Sequence, residues 1–516
     1  MSRIHKIAVA CMMMLSGFAT MEGQTGDRQT AAQKYIDIKM QEEPFKSGLV
    51  GVLAVTAKGD TIAEFNSSRK LIPASNTKLI STGLAIRGLG PSFRFSTKLG
   101  YSGYISNGTL HGDLYIIGGG DPTIASGDRM AMKTDSLFAK WTRALRVAGI
   151  RKIHGHVIGD GRFFDGPIEN DTWSYNDLGT DYGSGGNGLS FNRNIQIFNV
   201  SPTTVEGKVN AEVTYPATPW IEFRNCAVTA RPGTGDNLYQ FNTDLAPIAE
   251  LRGSLAIDKG QKKESFSNKF GALTCAWEFA KYLEKLEINV TESPADIDPY
   301  DNIRYTEAWG KDSTRTGFRY GNMAERPENL TLIYETKSPS LKEIAKVTNS
   351  RSDNFYAETL IRMLAKKRTG SANYDSCKVV IIREMDSLGV DMSYGAQIKD
   401  GSGLSRHDYI APEFFCRYLK AMSASQVFKQ WLYTVGIAGE GTMAARLQGQ
   451  SESLKHRIKM KSGSMNGVLC YSGYVMPSPG KPEDDMIIFS IMTNNCPEGG
   501  SKVRSFIDGL LMRIAK

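Results

Sequence analysis

"LIPASNTKLIST" (Leu71–Thr82) contains Ser75-Asn76-Thr77-Lys78, a serine and a lysine three residues apart. Pro73 stands just ahead of them. Leu79, Ile80, Leu84 and Ile86 follow at helical spacing until Gly88 and Gly90, which predicts a helix whose first turn holds Ser75. Positions i and i+3 share a helix face, so the two side chains can meet. A lysine amine buried there loses part of its preference for the charged form. It can then take the proton of a serine hydroxyl, the Ser-Lys variant of nucleophilic catalysis. Alone, the tetrad fits a capping serine beside a surface lysine equally well.

Two further motifs decide between these readings. Ser352-Asp353-Asn354 precedes a helical pattern beginning at Phe355, and its hydroxyl and amide can relay a proton and hold a substrate amide. Lys461-Ser462-Gly463-Ser464 follows the strand-like Arg457–Met460. There the lysine supplies positive charge, the hydroxyls of Ser462 and Ser464 can bind a carboxylate, and Gly463 lets a substrate backbone approach the strand. S-x-x-K, S-D-N and K-T-G in this order form the signature of penicillin-binding proteins and class A β-lactamases.

The remaining sequence narrows the class. The 516 residues exceed one typical core and predict two or three domains. Net charge is +8, but Lys and Arg are interleaved with Asp and Glu along the whole length, which gives nucleic-acid binding little support. Met1–Lys6 is basic and Ile7–Met21 is uncharged and largely apolar, with Gly17 and Ala19 near its end. That layout predicts a secretory signal peptide over 1–23, with cleavage near residues 19–24, and hence an exported, periplasmic mature chain. Too little apolar sequence precedes Cys11 for a lipoprotein site. Cys226, Cys275, Cys377, Cys416, Cys470 and Cys496 remain, scattered and without a C-x-x-C pair; they leave room for one or two disulfides that the sequence does not pair.

Other signals fail. Gly118-Gly119-Gly120-Asp121-Pro122 lacks the Gly-Lys-Ser/Thr of a P-loop and reads as a tight turn. His154 and His156 share a strand face without a third ligand nearby and read as structural. No G-x-S-x-G occurs, and six histidines in the chain weaken a Ser-His-Asp triad. No metal or organic cofactor is expected.

Along the chain, a helix is predicted near Thr30–Gln41. Strands at Leu49–Thr56 and Thr61–Phe65 are joined by Lys58-Gly59-Asp60 as a hairpin. From Phe93 to Tyr305 short β-type runs dominate, among them Asp113–Ile117 and Val157–Gly159, with one helix expected at Leu273–Leu286 and a long loop at Ser174–Asn192. Helical periodicity returns at Leu341–Thr348 and Phe355–Lys367. A strand at Met486–Thr493 and an amphipathic helix from Ser501 close the chain. The fold class is α/β (α+β), one domain split by a large, mostly-β insertion.

With these motifs the chain resembles the serine D-Ala-D-Ala carboxypeptidases/endopeptidases, the low-molecular-mass class C penicillin-binding proteins. Further stretches carry the resemblance: "YIIGGGDPT" (Tyr115–Thr123), "GDGRFFDG" (Gly159–Gly166), "LSFNRN" (Leu189–Asn194), "SPSLKEIAKVTNSRSDNFYAE" (Ser338–Glu358), "DGSGLSRHDYIAP" (Asp400–Pro412) and "GEGTMAARL" (Gly439–Leu447). The wide interval between Ser75 and Ser352 is similar to this family, which holds two extra domains there, and unlike that of β-lactamases.

The resemblance implies a penicillin-binding/β-lactamase-like transpeptidase domain, an antiparallel sheet flanked by helices, formed by 30–90 and 316–516. An inserted domain would comprise 91–165 and 268–315, with a second, 166–267, nested in it. It further implies Ser75 as the acylated nucleophile and Lys78 as its base. Ser352 would pass the proton to the leaving D-alanine nitrogen and Asn354 would hold the penultimate peptide. Lys461 would polarise Ser352 and attract the terminal carboxylate, bound by Ser462 and Ser464. The backbone N–H groups of Ser75 and Ser464 would form the oxyanion hole. Peptidoglycan stem peptides would be the substrates and β-lactams covalent inhibitors. Ser462 departs from the usual threonine but keeps the hydroxyl. A β-lactamase or esterase using the same Ser-Lys site is the alternative.

Overall fold

A computed structural model describes residues 29–306, 318–321, 329–393, 395–497 and 500–515. The expected signal peptide lies outside the described residues.

The hairpin forms as its sequence dictates, with strands Leu49–Thr56 and Thr61–Phe65 and Gly59 at φ 109° in the turn. It is one edge of a five-stranded, wholly antiparallel sheet. Across that sheet the order is Thr61–Phe65, Leu49–Thr56, Ile487–Asn494, Val468–Val475 and Ile458–Met465. N- and C-terminal segments therefore build one sheet, as a split domain requires.

Helices cover both faces. On one, Ala31–Lys39 and Gly500–Ile514 bury Ile36, Phe506, Ile507 and Leu510 against Val52, Phe489 and Ile491. On the other lie Thr77–Leu89, Leu341–Arg351, Asn354–Thr369, Tyr374–Ser387 and Pro412–Ser423, packed around Leu79, Leu84, Tyr356, Leu360 and Trp431. Their ends obey local rules. Ser340 and Glu343 form a capping box, Asp353 and Asn373 accept the first-turn N–H groups of Tyr356 and Ser376, and Gly370 ends its helix at φ 84°.

The inserted region begins with strand Ser96–Tyr101 in a seven-stranded mixed sheet. Its order is Phe318–Gly321, Ile303–Thr306, Ala295–Ile297, Val157–Asp160, Leu114–Ile117, Ser96–Tyr101 and Thr331–Lys337. The last of these pairs with Ser96–Tyr101, so this sheet extends past residue 315. Two three-stranded sheets follow within 195–267, with Phe198, Val200, Leu251 and Phe266 between them.

The expected helix at Leu273–Leu286 runs Gly271–Lys285, but it is not the one helix of this region. Thr134–Val147 is a second, burying Leu137, Phe138, Trp141 and Leu145. Its other face is polar and its flanks are rich in Gly, Ser and Asp, so the β texture around it masked the helical spacing of those four residues. Arg457 also moves. It ends a short helix, Glu452–Arg457, and the strand begins at Ile458. Among the described residues the six cysteines are free thiols; Cys226 is exposed and the other five are buried.

Candidate active site

The turn that carries Ser75 is built from the end of the sheet upward. Ala74–Asn76 forms one 3-10 turn leading into Thr77–Leu89. Asn76 Nδ2 donates to Ser472 Oγ (2.8 Å) on the sheet, and Thr77 Oγ1 donates to Ala74 O (3.1 Å). Ala74 takes φ 47°, a left-handed conformation that costs a non-glycine residue about 1–2 kcal/mol. Ser75 is the only residue of 73–86 that is not fully buried.

Lys78 has no exposed surface. Its Nζ donates to Ser75 Oγ (2.8 Å), Asn354 Oδ1 (2.6 Å) and Ser402 O (2.7 Å). Three acceptors match the three protons of an ammonium, while burial works against the charge. Desolvation lowers its pKa to about 8, against the attraction of Asp400, Glu358 and Asp353. Once neutral, the same amine at the same distance can accept the Ser75 O–H.

Ser352-Asp353-Asn354 joins two helices. Ser352 is left-handed (φ 59°) after Leu341–Arg351, and Asp353 N-caps Asn354–Thr369. This sharp corner aims Ser352 at one lysine and Asn354 at the other. Lys461 Nζ donates to Ser352 Oγ (2.9 Å) and Ser462 O (2.6 Å). Lys461 is wholly buried; desolvation, then the charge of Lys78, pushes its pKa well below the usual lysine value. The positive charge expected of Lys461 is therefore weakly held until an anion arrives.

Gly463 sits where the strand meets the turn that carries Ser75. A Cβ there would lie 2.4 Å from Pro73 O and 2.9 Å from the backbone nitrogens of Ser75 and Asn76. Glycine serves close approach of strand to turn, beyond the approach of substrate that the sequence suggested. A cavity of about 430 Å³ opens at this junction, lined by Ser75, Asn354, Ser464, Asp177, Tyr182, Gly403, Leu404, Arg406, Met465 and Asn466. Ser462 is not among these walls; its Oγ lies 3.4 Å from Thr442 Oγ1. Of the eight residues singled out from sequence, Ser75, Lys78 and Asn354 meet at one ammonium and Ser352 and Lys461 at another. Gly463 and Ser464 complete the wall beside Ser75.

Sequence reasoning missed two groups. Asp177, Tyr182 and Arg406 place opposite charges and an aromatic ring at the cavity, from loops with no periodicity to flag them. Beneath Lys78 lie three buried acids, Glu358, Asp400 and Asp408. Glu358 accepts the N–H groups of Gly401 (3.1 Å) and Ser402 (2.7 Å), which orients the Ser402 carbonyl toward Lys78. Burial and Asp400 raise the Glu358 pKa to about 8. Asp400 accepts from Gly403 N (2.6 Å), Ser405 N (2.8 Å) and Trp173 Nε1 (2.8 Å). Burial, then Asp400, holds Asp408 well above the usual carboxylate range. The stretch Asp400–Pro412 marked this loop without distinguishing the role of its acids.

A serine against a desolvated lysine, faced by a second serine-lysine pair on a helix-flanked antiparallel sheet, is the make-up of a Ser-Lys acyl-transfer hydrolase. The D-Ala-D-Ala carboxypeptidase 3 (S13) family matches residues 32–295 and 321–514, and the chain belongs to that family. The expected resemblance is borne out, and the activity is that of a D-Ala-D-Ala carboxypeptidase. The chain is 24% identical to the D-alanyl-D-alanine carboxypeptidase of Actinomadura sp. (strain R39), over 98% of this chain and 88% of that one. It is 23% identical to the D-alanyl-D-alanine carboxypeptidase DacB of Haemophilus influenzae, over 81% of this chain and 80% of that one. The crystal structure of penicillin-binding protein 4 (dacB) from Haemophilus influenzae shares the fold, with a TM-score of 0.76 at 22% identity, over 93% of this chain and 99% of that one.

Proposed function

We propose that this D-Ala-D-Ala carboxypeptidase acts on peptidoglycan stem peptides through an acyl-serine intermediate on Ser75. The observation that carries this reading is the 2.8 Å contact between Ser75 Oγ and the fully buried Lys78 amine. Neutral Lys78 takes the Ser75 proton as Oγ attacks the carbonyl carbon of the penultimate D-alanine. The backbone N–H groups of Ser75 and Ser464 receive the developing oxyanion, a contribution made only as the tetrahedral intermediate forms. Ser352, held by Lys461, relays the proton taken up by Lys78 to the leaving nitrogen, so D-alanine departs with its amine protonated and Lys78 is neutral again. Asn354 orients the peptide. Lys461, itself wholly buried, attracts the terminal carboxylate through its charge, and the hydroxyls of Ser462 and Ser464 are its proposed donors. Water then attacks the acyl-enzyme; neutral Lys78 takes its proton and returns it to Ser75 Oγ as the acyl C–O bond breaks.

A β-lactam, itself an acylating amide, enters the same pocket and acylates Ser75. A relative's structure is titled as a complex of penicillin-binding protein 4 with a β-lactam, which supports extending that chemistry here. Cross-linked peptides, whose scissile bond also follows D-alanine, are a second substrate. The chain works in the periplasm, delivered there by the apolar segment within 1–23. Among the described residues no helix is long and apolar enough to cross a membrane. We further place 30–90 and the C-terminal segment in the catalytic domain, with 91–165 and 268–315 forming one inserted domain and 166–267 the other. The pairing of Thr331–Lys337 with Ser96–Tyr101 supports a return to the catalytic domain near residue 338 rather than 316.

A fluorescent penicillin incubated with the purified protein tests the chemistry. Covalent labelling that disappears in S75A is expected, together with release of free D-alanine from a pentapeptide; labelling that survives in S75A refutes it. Digestion of cross-linked muropeptides, scored by loss of dimers, tests the second substrate.

A further inference from the structure

The inserted region grips the Ser352-Asp353-Asn354 corner from outside the catalytic domain. Arg193 lies in the turn Asn192-Arg193-Asn194, where three consecutive non-glycine residues are left-handed (φ 49°, 55° and 52°). Such a run is held only by surroundings that over-determine it. Here Asn194 Oδ1 accepts Phe191 N–H (3.1 Å), Asn192 Nδ2 donates to Ile195 O (3.0 Å), Asn194 Nδ2 donates to Gly185 O (3.1 Å) and Ser184 Oγ donates to Arg193 O (3.1 Å).

The turn projects the Arg193 guanidinium onto Asp353 Oδ2 at 2.8 Å. The other oxygen of Asp353 caps the next helix through Tyr356 N (2.9 Å). Both carboxylate oxygens are thus fixed, one by each side of the domain boundary. Two further grips accompany this one. Tyr182 O, from the insertion, accepts Asn354 Nδ2 (3.0 Å), and Asp128 binds both Arg351 and the Tyr356 hydroxyl. Residues on either side of Ser352, itself strained at φ 59°, are therefore pinned by the insertion.

We propose that Arg193 is a positioning residue for acyl transfer: through Asp353 it holds Ser352 against Lys461 and Asn354 against Lys78, which makes the insertion a structural part of the catalytic wall. Arg193 acts through these residues and does not touch the reacting atoms. The inference rests on the Ser75–Lys78 reading above. A catalytic group displaced by about 1 Å can cost on the order of 10²-fold in rate.

The test is stopped-flow acylation by a fluorescent penicillin, with thermal unfolding measured alongside, on R193Q, R193K, D353N and R193Q/D353N. In R193Q the acylation rate constant at saturating penicillin should fall ten- to a hundredfold, with half-saturation and the unfolding midpoint little changed. R193K should recover part of the loss, and the double variant should be no slower than the slower single one. An R193Q rate within twofold of the parent overturns the proposal, as do losses that multiply in the double variant. Should R193Q fail to fold, R193K carries the test: an intermediate rate supports the role and an unchanged rate refutes it. S75A run in parallel separates the two claims. Labelled S75A sinks the underlying mechanism, whereas unlabelled S75A with unaffected R193Q sinks only this inference.

Discussion

Gly463→Ala is the sharpest probe of the geometry around Ser75. The added methyl would meet Pro73 O at 2.4 Å and the nitrogens of Ser75 and Asn76 at 2.9 Å. Those atoms are backbone on both sides of the contact, so no rotamer change relieves it. Ordinary contact needs about 3.4 Å, so strand Ile458–Met465 and the nucleophile turn must separate by about 1 Å. The two proposed oxyanion donors sit on opposite sides of that seam, Ser464 N–H on the strand and Ser75 N–H on the turn. A hydrogen bond of about 2.9 Å lengthened by about 1 Å is lost. Removing one such donor costs about 10²–10³-fold in rate, about 2.7–4 kcal/mol. The overpacking itself costs about 1–3 kcal/mol of stability. Stopped-flow acylation should therefore slow at least a hundredfold, with an unfolding midpoint only some degrees lower. A folded G463A that acylates within threefold of the parent would refute both the seam and the placement of the hole across it.

Acylation should rise with pH. With a Lys78 pKa of about 8, roughly one amine in ten is neutral at pH 7, against about one in three thousand at the ordinary value of 10.5. The rate constant should climb about tenfold per unit below pH 7 and level above 8; a profile flat from pH 6 to 9 contradicts a Lys78 base. Lys461, its proton loosened by burial, should take one up as a terminal carboxylate binds. KM for a D-Ala-D-Ala peptide should thus rise with pH while that of its C-terminal amide does not. Arg406→Ala and Asp177→Asn should each raise KM several-fold for stem peptides with a charged side chain, at nearly constant kcat, because both groups line the cavity away from the Ser75–Lys78 contact. Trp173→Phe removes a donor to the Asp400 carboxylate and should cost about 1.5–3 kcal/mol in chemical denaturation.

The catalytic half was legible because its rules are local. The hairpin at Leu49–Phe65 shows two strand-like runs around a glycine turn, and Leu341–Arg351 carries its capping box in the sequence. Ser75 and Lys78 needed only helical geometry to meet, and the motifs at 352–354 and 461–464 supplied the opposite wall. The inserted half was less legible. The amphipathic face of Thr134–Val147 was lost among short strands, and the return strand Thr331–Lys337 pairs with residues more than 200 positions earlier, beyond any window. Asp177, Arg193 and Arg406 lie on irregular backbone, where neither period nor spacing points to a cleft. Asp400 and Asp408 look like loop acids in sequence, and only the fold buries them beneath Lys78.

The strain in this protein falls along the same boundary. Ala74 precedes Ser75, the proposed nucleophile, Ser352 is the second serine of the candidate site, and Arg193 contacts its neighbour Asp353; all three are non-glycine residues with left-handed backbone. At about 1–2 kcal/mol each they cost the fold a sizeable part of a typical net stability of about 5–15 kcal/mol. Glycine at any of them would relieve the strain but loosen the corner it forms, and at Ser352 or Arg193 would also remove the functional side chain. Ala74 and Arg193 are held locally, by Thr77 and by Ser184 with the asparagines beside it, whereas Ser352 is held by the distant Lys461. With the insertion cut away, Ser75 in its 3-10 turn would keep its place beside Lys78, yet the contacts of Arg193, Tyr182 and Asp128 that pin the Ser352 corner would be lost.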